Sequence, residues 1–248
     1  RTGLTTRLSV DSSGKEANWW TYGFARSADG RFAAFESGAD NLVPNDTNGH
    51  TDIFVHDRQT GSTTRVSVAA SGAESNNGSS SPALSADGRF VAFESWASNL
   101  VPEDTNGQPD IFVHARTTGA VALASVDSTG EQANYWSYQP AISADGRFVA
   151  YQSYASNLVA DDSNTAYDIF VHDRLTGATT RVLVESTGWQ ANGSSGAVAL
   201  SADGRYATFS SQADDLVLLD TNGVEDIFVH DLGEHPLRFF MPIIKRGS

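Results

Sequence analysis

The sequence has no cysteine among its 248 residues, which excludes a disulfide framework and a thiolate metal site. It has no apolar run near the roughly 18 residues that a membrane-spanning helix needs. Its greasiest stretch, 237–244, is broken by Arg238 and Pro242. Basic charge is scarce, with 16 Lys and Arg against 30 Asp and Glu and a formal net charge of −14. Such a surface repels phosphate backbones and argues against nucleic acid as a partner, while remaining compatible with cations. Also missing are a Gly-x-Ser-x-Gly nucleophile elbow, a His-Glu-x-x-His pair and a phosphate loop. No motif specifies a reaction.

Hydrophobic residues nevertheless make up 40% of the chain, enough for a sizeable core. They are arranged as an internal repeat. Ser-Ala-Asp-Gly begins at Ser27, Ser85, Ser143 and Ser201, and Asp-Ile-Phe-Val-His at Asp52, Asp110, Asp168 and Asp226, each step being 58 residues. Four equal units exclude a two-domain reading. In the second unit, Pro82–Ser85 reads as a short strand and Asp87-Gly88 as a tight turn. Arg89–Ser95, Asp110–His114 and Val121–Val126 supply three more strands, rich in β-branched and aromatic residues. No segment carries a 3.6-residue period. The expected fold is therefore all-β: a β-propeller of four 58-residue, four-stranded blades over residues 1–231, with an off-repeat tail over 232–248.

These motifs, Ser-Ala-Asp-Gly-Arg-Phe-Val-Ala-Phe and Asp-Ile-Phe-Val-His-Asp-Arg-x-Thr-Gly, resemble the WD40-like, TolB-type propeller repeat. The inserted Asn-Leu-Val-Pro-x-Asp-Thr-Asn-Gly is similar to a subtype common in secreted bacterial proteins. The resemblance covers residues 1–231. It implies a propeller fold and a secreted or surface location, and it leaves function open among binding scaffolds, accessory domains and enzymes. Because the chain opens inside a repeat, any leader is expected outside it.

Thr5–Val10 match Thr63–Val68, the fourth strand of a blade, while the last unit leaves the pattern after its third strand. The N-terminal strand is thus expected to complete the last blade and close the ring, hiding two sheet edges. Leu237–Met241 compete for the same slot, and a longer parent with more blades is the further alternative.

Four loops carry Asp-x-Asn-x-x-x-Asp: Asp46, Asn48, Asp52; Asp104, Asn106, Asp110; Asp162, Asn164, Asp168; and Asp220, Asn222, Asp226. Alternating oxygen ligands around a glycine turn are similar to calcium loops, and calcium is the one cofactor the sequence raises. Two features depart from that pattern. The first-ligand position holds Pro44, Pro102, Ala160 and Leu218, and Thr165 replaces the glycine in the third loop. The competing reading is Asx turns whose aspartates accept backbone hydrogen bonds. His56, His114, His172 and His230 recur on the third strands, too far apart to share a metal, with a hydrogen bond toward an aspartate such as Asp29 or Asp87 as the expected role. Glu36 and Glu94 share another repeat position, where an inter-blade or surface hydrogen-bond acceptor is expected.

Where the repeats differ, a local function can reside. The loop before the inner strand holds Trp19, Trp20 and Tyr22 in unit one and Tyr135, Trp136 and Tyr138 in unit three, against small polar residues in units two and four; Trp189 adds one more ring. Such rings either stack on a ligand or fill gaps between blades. In a closed four-bladed ring the two clusters would face each other across the axis. Arg26 stands where Leu84, Ile142 and Leu200 are apolar, so it is expected to pair with an acid or reach into the channel. The sequence reading is a non-enzymatic binding module for a glycan or a protein, in a monomer or a homodimer. A polysaccharide hydrolase or lyase and a structural spacer are the competing classes.

Overall fold

The computed structural model describes residues 3–182, 190–217 and 220–233. They form fifteen strands in four antiparallel sheets, with no helix among the described residues. Blade one is β1 (Thr21–Arg26), β2 (Phe32–Ser37), β3 (Asp52–Asp57) and β4 (Ser62–Arg65). Blade two is β5 (Ser79–Leu84), β6 (Phe90–Ser95), β7 (Asp110–Ala115) and β8 (Ala120–Leu123). Blade three is β9 (Ser137–Ile142), β10 (Phe148–Ser153), β11 (Asp168–Asp173) and β12 (Thr179–Arg181). Blade four has three strands, β13 (Ser195–Leu200), β14 (Tyr206–Ser211) and β15 (Asp226–Asp231). Each sheet runs in simple meander order, as short Asp-Gly and Thr-Gly turns dictate.

The strands alternate their side chains between two neighbouring blades, so each blade is apolar on both faces. Ala34, Ile53 and Val55 of blade one pack with Leu84, Val91, Phe93 and Phe112 of blade two. The same set recurs between blades two and three and between blades three and four. One glycine per step makes this approach close. Phe32 lies against Gly88, where a Cβ would come within 2.3 Å of the ring, and Phe90 and Phe148 meet Gly146 and Gly204 in the same way. Each of these glycines has a positive φ, so it serves both the hairpin turn and the contact.

A line of backbone hydrogen bonds also runs from blade to blade: Ala28 N–H to Ala86 O at 2.8 Å, Ala86 to Ala144 and Ala144 to Ala202 at 2.9 Å. Glu36 and Glu94 are inter-blade acceptors, as expected, taking the N–H of Ser81 at 2.7 Å and of Gln139 at 2.9 Å.

The N-terminal strand differs from expectation. Residues 5–8 lie in no strand, and β15 pairs only with β14 among the described residues. The segment is held instead on blade one, where the Thr63 hydroxyl donates to Val10 O and the Thr63 N–H to the Ser12 hydroxyl. The equivalent bonds link Thr179 to Val126 and Ser128, so the segment behaves as the exit from a blade preceding blade one. The competing tail segment, 237–241, lies outside the described residues.

Candidate functional site

The four lead-in loops are pinned by one amide clamp per blade. Asn134 Nδ2 donates to the Ser156 hydroxyl at 3.1 Å and its Oδ1 accepts the Ser156 N–H at 3.0 Å, and Asn76 does the same with Ser98. Asn18 and Asn192 donate to Asp40 and Asp214. The residues between clamp and inner strand are therefore held on one face whatever their identity, and aromatics placed there are displayed rather than swallowed.

Trp19 and Trp20 are 66% and 69% exposed. Trp19 lies over Gly38, where a Cβ would come within 2.8 Å of its ring. In blade three the same two positions hold Tyr135 and Tyr154, whose centroids are 5.2 Å apart. Trp136 stands 4.9 Å from Tyr135 and 6.2 Å from Tyr138, and Tyr167 packs on Tyr154 and Tyr138. The sequence reading missed Trp96, Tyr154 and Tyr167. The first two share the repeat position of Gly38, and alignment of the units by 58 would have shown the swap of ring and glycine.

Beside Tyr135 and Tyr154 opens a cleft of about 210 Å³, rimmed by Asn134, Ser156, Asp162 and Ser163. Thr165, at φ 49°, takes the left-handed position that glycine holds in the sister loops, and its side chain adds to the same wall. Two departures from the repeat, the aromatic pair and the substituted glycine, thus meet in one place.

Arg26 belongs elsewhere. It lies with Phe24 on the face of β1 that has no blade against it among the described residues, whereas Tyr22, set off from Phe24 by a bulge, pairs with Glu36 and lies 6.0 Å from Trp20. Arg26 does not make the expected acid pair. Its guanidinium donates to Ser27 O at 3.3 Å, because the uncovered strand leaves it in water rather than in a core. Nor do the aromatic clusters face each other across a closed four-bladed ring among the described residues, where no strand or blade covers either end of the array. Trp189 lies outside the described residues.

The aspartate loops form hydrogen-bonded clusters at the ends of the third strands. In blade one, Arg65 is 2.9 Å from Asp46, 3.1 Å from Asp52 and 2.7 Å from Glu74, and only 8% of its side chain is exposed. Asn48 donates from Nδ2 to Asp52 at 2.9 Å, while its Oδ1 accepts the His50 N–H as an Asx turn does. In blade three Arg181 stands 3.6 Å from both Asp162 and Asp168, and Gln190 donates to both. Blade two has Leu123 at the arginine position, and Gln132 alone bridges Asp104 and Asp110 at 2.9 and 2.8 Å.

Burial pushes Asp46, Asp110 and Asp168 up to about 6, against the pull of Arg65 on the first and of hydrogen-bond donors on the others. In blade four, Asn222 donates to Asp226 at 2.7 Å, and neither Asp220 nor Asp226 has a basic partner among the described residues. Among the described residues no group of three or more His, Asp or Glu is placed to hold a metal ion.

The histidine row pairs with threonine rather than with aspartate. His56 Nδ1 is 2.9 Å from the Thr63 hydroxyl and His172 Nδ1 is 2.9 Å from that of Thr179. Strand pairing explains this, since His56 stands directly across from Thr63. In blade two Val121 replaces the threonine, and the buried Nδ1 of His114 is left without a hydrogen bond among the described residues. Burial lowers the pKa of all three rings.

Among solved structures, the chain is similar to TolB from Acinetobacter baumannii, with 17% identity and a TM-score of 0.51 over 86% of this chain and 41% of that one. A putative TolB from Agrobacterium tumefaciens gives 17% and 0.52 over 88% and 63%. One of two prolyl endopeptidases gives 15% and 0.50 over 93% and 30%. The chain therefore spans less than two thirds of the length of each. No family model and no curated protein matches it. At such identities the likeness concerns the fold alone. With four meandering blades packed face to face, the chain has a TolB-like β-propeller fold.

Proposed function

We propose that the chain is a non-enzymatic binding module whose ligand is a glycan seated on the aromatic face of blade three. The observation that carries this reading is the cleft beside Tyr135 and Tyr154, where two tilted rings 5.2 Å apart stand next to the amide, hydroxyl and carboxylate groups of Asn134, Ser156, Ser163 and Asp162. A sugar offers apolar C–H faces to rings and hydroxyls to such groups, and a small number of convergent polar groups beside apolar surface is what a ligand site requires. Trp19, Trp20 and Trp96 are further exposed rings on blades one and two. The absence of cysteine and the net charge of −14 fit a secreted or surface-attached bacterial location, where glycans are at hand.

The test is titration of short neutral oligosaccharides followed by tryptophan fluorescence and calorimetry. Tyr135→Ala should weaken binding at least tenfold while leaving the circular dichroism spectrum unchanged, with only the few degrees of melting temperature that its contacts with Trp136 and Tyr154 account for. Absence of binding by every oligosaccharide tried, or full binding by the variant, would refute the reading. A protein ligand would show instead as retention of binding on protein probes lacking glycans.

A further inference from the structure

The two ends of the four-blade array are not merely uncovered; each holds what the other lacks. On the leading face of blade one, Phe24 is 87% exposed. On the trailing face of blade four, Ile227 and Val229 are 76% and 67% exposed, whereas their counterparts Ile53, Ile111, Val55 and Val113 are fully buried. β15 has a free edge with no fourth strand among the described residues. Residues 5–10 have the sequence of a fourth strand, and 5–8 of them join no sheet among the described residues.

The polar groups match as well. In blade one the cluster at the strand ends is Arg65, Glu74, Asp46 and Asp52. One repeat earlier, the equivalents of Arg65 and Glu74 are Arg7 and Glu16, already ion-paired with each other. One repeat after blade three, the equivalents of Asp46 and Asp52 are Asp220 and Asp226, which have no cation among the described residues. The head thus carries the cluster's one cation, with Glu16 beside it, and the tail carries its two aspartates. His230 stands where His56 meets Thr63, and the head supplies Thr5 at that register. The backbone line from Ala28 to Ala202 uses neither the N–H of Ala202 nor the carbonyl of Ala28, and both residues are exposed.

Finally, the two ends depart from the repeat together. Each step packs an apolar inner-strand residue on a small one: Leu84 with Ala34, Ile142 with Ala92, Leu200 with Ala150. The residues that would form the next such pair are Arg26 and Thr208, a long cation and a hydroxyl.

We infer that the occupant of both ends is a second copy of this chain, docked head to tail. Residues 5–8 of each copy complete blade four of the other, and Arg7 of each copy enters the other's Asp220 and Asp226. The contact is reciprocal, so it closes under two-fold symmetry into a ring of eight blades, within the known range for propellers. The single chain does not make this contact itself, because Val10 and Ser12 are bonded to Thr63 on the outer edge of blade one, which directs residues 5–8 away from their own array.

Two measurements test this. In the repeat, Val55 pairs with Thr64, and the equivalent pair across the contact is Val229 of one copy and Thr6 of the other. The chain has no cysteine, so a Thr6→Cys, Val229→Cys double variant reports that pair alone. Oxidation should give a band at twice the 26.4 kDa chain mass on non-reducing gels, and light scattering of the unmodified protein should give the same doubling. Asp substitution of Ile227 and Val229, exposed in the single chain, should return the mass to that of one chain while the circular dichroism spectrum stays unchanged.

An unmodified protein with the mass of one chain at 100 μM would overturn the inference. So would a cysteine bond formed within one chain, which would mean closure of a four-bladed ring. Should the Asp variant misfold, the cross-link and the mass of the parent still decide.

Discussion

Removing Arg65 is the sharpest perturbation the structure offers, because one guanidinium serves three carboxylates in a nearly closed site. It lies 2.9 Å from Asp46, 3.1 Å from Asp52 and 2.7 Å from Glu74, with 8% of its side chain exposed. Arg65→Met keeps most of the volume and removes the charge, leaving Asp46 and Asp52 buried without the cation that balances them, although Asp52 keeps its bonds from Asn48 and Ser75. Breaking a buried pair from one side costs about 3–5 kcal/mol. For a domain of this size that is a fall in melting temperature of roughly 6–20 °C.

The loss carries a pH signature. Asp46 already sits at about 6, raised by burial, with Asp52 and Glu74 adding to the rise and Arg65 opposing it. Its folded pKa therefore exceeds the ordinary 3.8, and the folded chain binds the proton more readily than the unfolded one. Acidification from pH 7.5 toward 4.5 should protonate Asp46 and shrink the deficit of the variant. Asp46→Asn placed on Arg65→Met should recover part of it at neutral pH. Urea unfolding of the four proteins of this cycle, at both pH values, measures the coupling directly. A deficit under about 1 kcal/mol, or one that is the same at both pH values, would refute the account of the cluster as a buried, charge-balanced unit.

Asp110, which titrates near 6 in the fold and lower in the unfolded chain, should add stability as the pH falls from 7.5 to about 5, while the buried His56, His114 and His172, whose pKa burial lowers, oppose it; Asp110→Asn should therefore gain less, or lose more, than the parent over that range, which paired thermal melts would show. Val121→Thr should stabilise the chain by about 1 kcal/mol, by giving His114 Nδ1 the hydroxyl that Thr63 gives His56, and an unchanged or lower urea midpoint would count against it. Gly88→Ala and Gly107→Ala share a positive φ, yet only the first puts a Cβ within 2.3 Å of Phe32, so unfolding measurements should find it the costlier by about 1–3 kcal/mol. Trp20→Ala should leave the melting temperature nearly unchanged, and Trp136→Ala, half-buried between Tyr135 and Tyr138, should lower it by several degrees.

The architecture was legible in the residues alone. A 58-residue period with Ser-Ala-Asp-Gly turns and Asp-Ile-Phe-Val-His strands forces four sheets of one meander pattern, because turn chemistry and period-2 alternation are local properties. The display of Trp19 and Trp20 was legible only as one of two alternatives, since the same ring can cap a core or face water.

What neighbours do is not local. Whether Thr5–Val10 return to their own last blade depends on the angle accumulated over three blade-to-blade contacts, which no stretch of sequence encodes by itself. The partner of His56 followed from strand register, which set Thr63 opposite it and Asp29 out of reach. Arg26 looked like a buried charge because its counterparts are buried, and it is exposed because the blade that would bury it is absent from this face. Repetition tells each residue what its equivalent does in the middle of the array. At the two ends only the tertiary structure decides, because burial depends on what stands on the other side.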